Sequence, residues 1–247
     1  MSKLTGKVAV ITGASKGIGA AIAKSFAAEG ASVVVNYASS KAGAESVVAA
    51  IIEAGGKAVS VSGDITKAAE AQGIIDAAIK AYGRLDILVN NAGFYEFAAL
   101  EAITEESFHK HFNLNVLGLL LVTQAAANQI GNGGSIINIG SAVTRMKPAM
   151  AAVYAGTKGA VEVITGVLAK ELAPRKIRVN SINPGLVETE GTHTAGVIGT
   201  DMEKGFVSQT PLGRVGQPSD IAAVAVFLAS ADSGWITGEA IVASGGL

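Results

Sequence analysis

Residues 8–19 read VAVITGASKGIG and divide into an apolar strand, a glycine-rich turn and the start of a helix. Gly13, Gly17 and Gly19 allow a tight turn, and the helix begins near Ala20. Glycines in such a turn let the backbone approach a pyrophosphate, whose charge is stabilised by the helix amino terminus. The spacing alone is common in a chain with 31 glycines. Its place between a strand and a helix favours a nucleotide-binding turn over a simple connection.

The same alternation of strand and helix continues along the chain. Apolar runs predict strands at residues 8–11, 32–35, 58–61, 85–89, 135–139, 178–182 and 240–242. Helical segments are predicted at residues 17–29, 40–54, 67–81, 104–130, 152–173 and 218–229. Continuously apolar strands suit a parallel sheet that is buried on both faces. We therefore predict an α/β fold, a doubly wound parallel sheet of seven strands with helices on both faces, in one domain spanning residues 1–247.

One segment departs from this alternation. Residues 186–206 contain four glycines and show no clear period. Long segments of this kind inside a compact fold are more often functional than mere linkers. We predict that residues 186–206 form a lid over a substrate.

The composition argues against a membrane protein, although 49% of the residues are hydrophobic and the mean hydropathy is +0.44. The longest unbroken apolar run is residues 221–229, whereas a membrane-spanning helix needs about twenty residues. The run at residues 8–11 is too short for the apolar core of a secretory signal. We expect a cytoplasmic protein that does not engage a membrane.

Charge and metal-ligating residues exclude two further classes. Nineteen Lys and Arg against 20 Asp and Glu give a net charge of −1, and no basic stripe is present to bind nucleic acid. The absence of cysteine excludes disulfides and thiolate metal sites. His109 and His111 are two residues apart and would point in different directions on a helix, and His193 falls in a predicted loop. We expect no metal site.

The end of the second predicted strand indicates which dinucleotide binds. A sheet that binds NAD usually places an acid there for the ribose 2′-hydroxyl, but here the residue is Asn36 and the next acid is Glu45. Basic and hydroxyl side chains are available for a 2′-phosphate instead. These are Lys16, Ser39, Ser40 and Lys41. We predict NADP(H) as the cofactor in preference to NAD(H).

Asp64 ends the third predicted strand and has two interpretations. It accepts a hydrogen bond from the adenine amino group, or it caps the turn before the third helix.

Tyr154 and Lys158 are candidates for the chemistry, because residues four apart on a helix share a face. Tyr37 and Lys41 have the same spacing but follow the second strand, where the adenine end of a cofactor would lie. Tyr154 instead lies 13 residues after Ser141, which ends the fifth strand at the edge where such sheets bind ligands. The alternatives are a core aromatic for Tyr154 and a turn cap for Ser141.

Six motifs occur in the order and spacing of a known family: Thr12-Gly13-x-x-x-Gly17-x-Gly19, Asn90-Asn91-Ala92-Gly93, Asn115, Ser141, Tyr154-x-x-x-Lys158 and Pro184-Gly185. The chain thus resembles the short-chain dehydrogenases/reductases, whose fold is of the Rossmann type. The resemblance implies that Tyr154 is the general acid, that Lys158 holds the nicotinamide ribose and that Ser141 binds the substrate carbonyl. It also implies that Asn115 anchors a water in a proton relay, although a buried structural amide is the alternative. The implied cofactor-binding residues are Gly13, Ser15, Lys16, Gly17, Ile18, Gly19, Asn36, Tyr37, Ala38, Ser39, Asp64, Ile65, Asn91, Ala92, Gly93, Tyr154, Lys158, Pro184, Gly185 and Val187.

An ammonium close to Tyr154 would lower the phenol pKa from about 10 toward neutrality, because one such charge about 4 Å away supplies about 4 kcal/mol at an effective dielectric constant of about 20. We therefore expect Lys158, together with the cationic nicotinamide, to depress the pKa of Tyr154.

The substrate is less well defined by the sequence. Residues predicted to line its pocket are Tyr95, Arg145, Met146, Met150 and Phe206. Within the family, the nearest group comprises 3-oxoacyl-carrier-protein reductases, sugar 1-dehydrogenases and carbonyl reductases, and we predict reversible reduction of a small-molecule ketone or aldehyde. Few basic residues are available to receive an acidic carrier protein. A nucleotide-sensing regulator without turnover is the alternative from another class. The resemblance further implies a homotetramer that uses residues 152–173 and the carboxy-terminal end.

Overall fold

The computed structural model describes residues 2–247 and contains one sheet of seven parallel strands. The strands are β1 (Val8–Ile11), β2 (Ser32–Tyr37), β3 (Lys57–Ser62), β4 (Leu85–Asn90), β5 (Ile130–Ile139), β6 (Arg178–Pro184) and β7 (Ala240–Ala243). Their order across the sheet is β3-β2-β1-β4-β5-β6-β7. The predicted seven-stranded, doubly wound parallel sheet is therefore confirmed.

Ten α-helices and a π-helical segment connect the strands within residues 2–247. They are α1 (Gly17–Ala28), α2 (Lys41–Glu53), α3 (Ala68–Tyr82), α4 (Glu105–Phe112), the π-helix (Asn113–Gly118), α5 (Leu119–Ala127), α6 (Val143–Met146), α7 (Ala152–Leu172), α8 (Glu190–Thr194), α9 (Asp201–Gln209) and α10 (Pro218–Ala229). None of these helices combines the length and hydropathy needed to cross a membrane.

Two apolar clusters fill the space between the sheet and its helices. One face of the sheet packs against α1, α2 and α10, with Phe26 fully buried at its centre. The other face packs against α3, α5 and α7 around Ile74 and Ile136. Burial on both faces explains why the strands are apolar without alternation.

Two sequence predictions are wrong in detail. The helix predicted at residues 104–130 is interrupted by the π-helix and ends at Ala127, and Ile130 already pairs with Leu85 in the sheet. β5 consequently begins five residues earlier than predicted, before a glycine-rich irregularity at residues 131–134 that shifts its register against β4. The segment predicted as a lid contains α8 and the start of α9, so it has more regular structure than its glycine content suggested.

The strand order reverses between β1 and β4, which are neighbours at the centre of the sheet. Chains leaving these two strands diverge to opposite sides, so a crevice opens at their carboxyl ends. The glycine turn after β1 and residues 91–93 after β4 both lie at this edge, and the candidate site is built there.

Candidate active site

Thr12 ties together the two turns that border the crevice. Its buried hydroxyl accepts hydrogen bonds from the backbone N–H groups of Asn91 and Ala92, each at 3.0 Å. The side-chain amide of Asn91 donates in return to the carbonyls of Thr12 at 2.9 Å and Gly13 at 3.0 Å. This reciprocal pairing fixes the turn after β1 against the turn after β4. The sequence pattern included Thr12 without revealing this function.

The three glycines of the turn are required for different reasons. A Cβ on Gly19 would lie 2.4 Å from the amide nitrogen of Asn91, and one on Gly13 would lie 2.8 Å from the Cα of Ala92. These two glycines therefore permit close packing against the β4 turn. Gly17 has a φ of +57°, and a Cβ on it would face Thr189 in the segment predicted as a lid. Gly17 is therefore the glycine of the turn that borders the crevice.

Asn36 faces the interior of the protein. Its side-chain oxygen accepts from the N–H of Gly13 at 3.2 Å, and its amide nitrogen donates to the carbonyl of Gly63 at 3.1 Å. The residue is 1% exposed. Asn36 thus anchors the glycine turn to β2 and β3, and its side chain is not directed at a ribose as its sequence position suggested.

The amino end of α2 presents exposed polar groups beside the glycine turn, whereas the Asn36 side chain is buried. A Cβ on Gly43 would meet Ser15 O at 2.8 Å and Ser40 Oγ at 2.7 Å, so α2 begins in close contact with the glycine turn. Ser39, Ser40 and Lys41 are exposed beside this contact. The Lys41 ammonium lies 3.7 Å from Glu45, in an exposed pair that leaves it accessible. The structure therefore brings Ser39, Ser40 and Lys41 together at the amino end of α2, whereas the exposed Lys16 immediately precedes α1.

Asp64 caps the turn that leads to α3, which is the second of the two roles predicted for it. Its Oδ1 accepts from the backbone N–H of Thr66 at 2.9 Å and from the Thr66 hydroxyl at 2.8 Å. The Thr66 backbone hydrogen bond is the largest cause that lowers the pKa of Asp64. The other oxygen of this half-buried carboxylate lies 3.8 Å from Lys67.

Asn115 lies in the π-helix and clamps the chain that follows β4. Its oxygen accepts from the N–H of Phe94 at 2.8 Å, and its nitrogen donates to the carbonyl of Phe94 at 2.8 Å and to Thr157 Oγ1 at 3.0 Å. The side chain is thus a satisfied buried amide, and the proton relay that the family resemblance implies for Asn115 stays a prediction. A π-turn interrupts the regular ladder of helical hydrogen bonds and occurs frequently at functional sites.

Tyr154 and Ser141 meet at the floor of the crevice. Burial raises the pKa of the Tyr154 phenol, and a hydrogen-bonding interaction with Ser141 only partly opposes this increase. Ser141 Oγ also accepts from the N–H of Val143 at 3.2 Å, so it caps α6 as well. Because a hydroxyl can accept and donate at once, the cap leaves the Ser141 proton free to turn toward the phenol. The structure brings these predicted residues together, but the expected decrease in the phenol pKa is wrong for the protein without cofactor.

Lys158 is buried, 7% exposed, and is not paired with a carboxylate. Its ammonium donates to the carbonyl of Ile139 at 2.7 Å and lies 5.9 Å from the centre of the Tyr154 ring. Burial lowers the pKa of Lys158 from 10.5 to about 8. A Cβ on Gly93 would lie 3.7 Å from the ammonium, so Gly93 keeps this side of Lys158 open. A buried, strongly shifted ionisable group beside a crevice is typical of a functional site.

Two aromatic rings form a wall around Tyr154. The ring centroids of Tyr95 and Phe97 each lie 6.1 Å from that of Tyr154, and both rings are more than one-third exposed. The sequence predicted Tyr95 but missed Phe97. The spacing of two residues between Tyr95 and Phe97 was the signal that could have indicated it, because every second side chain of an extended segment lies on the same side.

Comparisons with known proteins agree with this arrangement. A family model described as enoyl-(acyl carrier protein) reductase matches residues 13–247. The chain is 64% identical over the full length of both chains to an uncharacterized oxidoreductase of Methylorubrum extorquens. It is 40% identical to a hydroxynaphthalene reductase-like protein of Metarhizium robertsii, covering 98% of this chain and 95% of that one. The solved angucycline C-6 ketoreductase LanV, with bound NADP, has a TM-score of 0.93 and 35% identity, covering 99% of this chain and 96% of LanV.

The chain belongs to the short-chain dehydrogenase/reductase family. The predicted family resemblance is therefore confirmed. In this short-chain dehydrogenase/reductase, the predicted motif residues lie along one crevice edge, from the glycine turn after β1 to Pro184-Gly185 after β6.

The glycine turn fits the pyrophosphate of a dinucleotide. The N–H of Gly17, at the amino terminus of α1, donates to a carboxylate oxygen of Glu190 at 3.0 Å. The donors of this helix terminus therefore accommodate an anion, as pyrophosphate binding requires. Among the remaining residues predicted to contact the cofactor, Ile65 and Val187 are buried in the core.

Residues predicted to bind the substrate are less uniformly placed. Met150, with a φ of +67°, accepts a hydrogen bond from Ala98 N–H at 2.9 Å through its carbonyl and is exposed beside the aromatic wall. Met146 and Phe206 are half-buried, on α6 and α9. Arg145 lines a cavity of about 640 Å³ that is formed with Leu186, Leu212 and residues 242–247. Ser141 and Tyr154 do not line this cavity, so the placement of Arg145 gives no support to its predicted contact with substrate.

Among residues 2–247, no three side chains of the metal-ligating types His, Asp and Glu come together as a potential metal site.

Proposed function

We propose that this short-chain dehydrogenase/reductase uses NADP(H) to reduce a ketone reversibly to an alcohol. The observation that carries the proposal is the buried ammonium of Lys158 beside Tyr154 and Ser141, without a carboxylate to neutralise it. Such an arrangement is costly to the fold. A requirement for positive charge and for a proton donor in the reaction explains its presence.

Each polar group then has a role. Bound NADPH supplies the hydride that reduces the carbonyl carbon. Tyr154, which is protonated at neutral pH because its pKa is raised, donates a proton to the carbonyl oxygen. Ser141 donates a hydrogen bond to the same oxygen and stabilises the negative charge that develops there. The ammonium of Lys158 stabilises the phenolate that remains.

The preference for NADP(H) rests on the amino end of α2. Ser39, Ser40 and Lys41 are exposed there beside the glycine turn, and no acid stands at the end of β2 to bind a free 2′-hydroxyl. A 2′-phosphate would gain charge-assisted hydrogen bonds from these groups. The NADP bound to the solved relative LanV is consistent with this preference.

We further propose an aromatic ketone as the substrate class. Tyr95 and Phe97 present rigid aromatic rings beside each other next to the Tyr154 ring, with their own centroids 6.4 Å apart, and the exposed Met150 adds an adaptable apolar side chain. Aromatic side chains bind flat aromatic rings by offset or edge-to-face contact. The name of the Metarhizium relative, a hydroxynaphthalene reductase-like protein, points to the same chemistry.

The test measures NADPH and NADH consumption with 1-tetralone, an aliphatic ketone and acetoacetyl thioester, and NADP⁺ reduction with glucose. We expect the highest kcat/KM for tetralone with NADPH. Tyr154→Phe should lower kcat by about 100-fold or more, because general acid catalysis is lost, and it should leave the Kd for NADPH within about twofold. Tyr82→Phe is the matched control and should retain activity, because Tyr82 ends α3 just before β4 begins and therefore lies at the edge of the sheet opposite the crevice.

Equal or better kcat/KM with NADH would contradict the cofactor preference. Activity of Tyr154→Phe near that of the wild type would contradict the assigned proton donor. A higher kcat/KM for the thioester or for glucose would contradict the aromatic ketone as substrate class and favour a carrier-protein-linked or sugar substrate. NADPH binding without turnover of any of these substrates would favour a nucleotide-sensing regulator.

A further inference from the structure

Glu190 of the lid occupies the position at which the glycine turn would bind a phosphate. Its Oε2 accepts from the N–H of Gly17 at 3.0 Å, across 173 residues of sequence. Gly17 is the first residue of α1, and the preceding residue, Lys16, provides no side-chain cap. The carboxylate oxygen therefore stands in for a phosphate oxygen, at a helix terminus that otherwise lacks a side-chain acceptor.

The lid is held in this position from its other end. Val187 pairs with Gly216, and the Glu188 carboxylate accepts from Gln217 at 2.9 Å and contacts His193 at 3.1 Å. Thr189, which caps α8, lies 3.4 Å from the position of a Cβ on Gly17. The lid base is thus fixed to the body of the protein, and the Glu190 contact joins its first helix to the glycine turn.

We propose that Glu190 is a determinant of cofactor affinity that competes with the pyrophosphate for the amino terminus of α1. A carboxylate and a pyrophosphate cannot share one set of donors, because both are anionic and each N–H is used once. Cofactor binding then breaks the contact between Glu190 and Gly17 and releases the first turn of α8. The inference rests on the dinucleotide site of the proposed function and adds a residue that opposes cofactor binding.

The position of Glu190 also predicts that Glu190 does not affect the preference between NADPH and NADH. The groups that favour a 2′-phosphate lie at the amino end of α2, whereas Glu190 lies at that of α1. Loss of the Glu190 charge should strengthen NADPH and NADH binding by the same factor. It should not affect 2′-AMP, which carries the 2′-phosphate but no pyrophosphate.

The experiment measures the Kd of NADPH and NADH by fluorescence titration, without turnover, for the wild type, Glu190→Gln and Glu190→Ala. We expect Glu190→Gln and Glu190→Ala to lower both Kd values by about three- to tenfold, the equivalent of one ordinary intramolecular hydrogen bond. The matched control is Asp201→Asn, which removes an exposed carboxylate of the same segment whose ionic partner is Lys204, and it should change Kd by less than about twofold, as expected for an exposed charge pair. Inhibition by 2′-AMP should be the same in all variants.

Hydrogen exchange gives a second, independent measurement. Residues 188–195 and the Gly17 amide should exchange faster in Glu190→Ala than in the wild type when both are free, and at equal rates when both are saturated with NADP⁺. An unchanged or higher Kd in Glu190→Gln, or an equal decrease in Asp201→Asn, would overturn the inference while leaving the proposed function intact. A failure of every variant to bind NADPH would overturn both.

Discussion

Lys158 shows at the scale of one residue how function and stability oppose each other. The sequence predicted its partnership with Tyr154 from their spacing, and the two side chains do lie on one face of α7. It did not predict the increase in the phenol pKa of the protein without cofactor, because spacing carries no information on burial. Burial favours the neutral form of both groups, which raises the pKa of Tyr154 and lowers that of Lys158 to about 8.

The buried charge should make the protein less stable than it could be. The pKa of Lys158 is about 8 in the folded protein and 10.5 as a free side chain, so at pH 7 charging it costs the fold about 3 kcal/mol. Lys158→Met should therefore raise the free energy of unfolding of the cofactor-free protein by about 2 kcal/mol at pH 7, after loss of the hydrogen bond to Ile139. Urea unfolding at fixed pH measures this difference.

The advantage of the variant should depend on pH. Between pH 8 and 10.5 the unfolded wild type binds more protons at this lysine than the folded one, so its free energy of unfolding rises with pH relative to Lys158→Met. The difference in unfolding free energy between Lys158→Met and the wild type should therefore become smaller across that pH range. Lys170→Met, an exposed lysine on the same helix, is the control and should show no such trend. A Lys158→Met protein that is less stable than the wild type at pH 7 would contradict the cost assigned to this charge.

Other residues show where sequence patterns stop being informative. The glycine motif predicted the turn after β1, but the hydroxyl of Thr12 that joins it to the β4 turn depends on the strand order, which no local pattern encodes. For the same reason the sequence pattern placed Asn36 among the cofactor-binding residues. Its amide instead bonds to Gly13 and Gly63, which meet only when three strands align.

At the scale of elements, α4 and the π-helix hold the aromatic wall in place. His111 is 1% exposed, contacts Ser107 O through Nδ1 at 2.7 Å and accepts from Glu96 N–H through Nε2 at 3.1 Å. This pairing requires a neutral ring with its proton on Nδ1. The ring also packs on Phe94, with centroids 4.8 Å apart. Periodicity predicted one long helix here, because an apolar pattern does not reveal the extra residue of a π-turn.

His111→Phe should loosen the aromatic wall while preserving the contact with Phe94. The substitution leaves the Glu96 N–H without its acceptor, which should lower the free energy of unfolding by about 1 to 3 kcal/mol. The KM for an aromatic ketone should rise more than kcat falls, since Tyr95 and Phe97 shift while Tyr154 stays on α7.

His109→Phe is the matched control for this variant, because His109 is exposed on the same helix. It should change neither the unfolding free energy nor KM. Equal changes of unfolding free energy and KM in the two variants would contradict the claim that His111 holds the aromatic wall in place. A decrease in kcat alone in His111→Phe would contradict it as well.

At the scale of the whole molecule, the high hydropathy that first suggested a membrane protein is only partly explained by the core. Both faces of the sheet are buried, as the apolar strands predicted. Yet Trp235 is fully exposed and Val163 is 69% exposed, and Val163 shares an outward face of α7 with Val167. Exposed apolar surface of this extent is typical of an interface between protein chains.

The family resemblance implies a homotetramer, and we expect a second copy of the chain to cover the outward face of α7 in it. Val163→Asp with Val167→Asp would place two charges in that contact, where unpaired charges are strongly unfavourable. Light scattering after size exclusion should give the wild type a mass near four times that of the 24.7 kDa chain and the double variant a smaller mass. Ile52→Asp, an exposed apolar residue on α2 outside this face, is the control and should retain the wild-type mass. A wild type that elutes as a single chain would rule out the tetramer, and an unaffected double variant would move the interface away from α7.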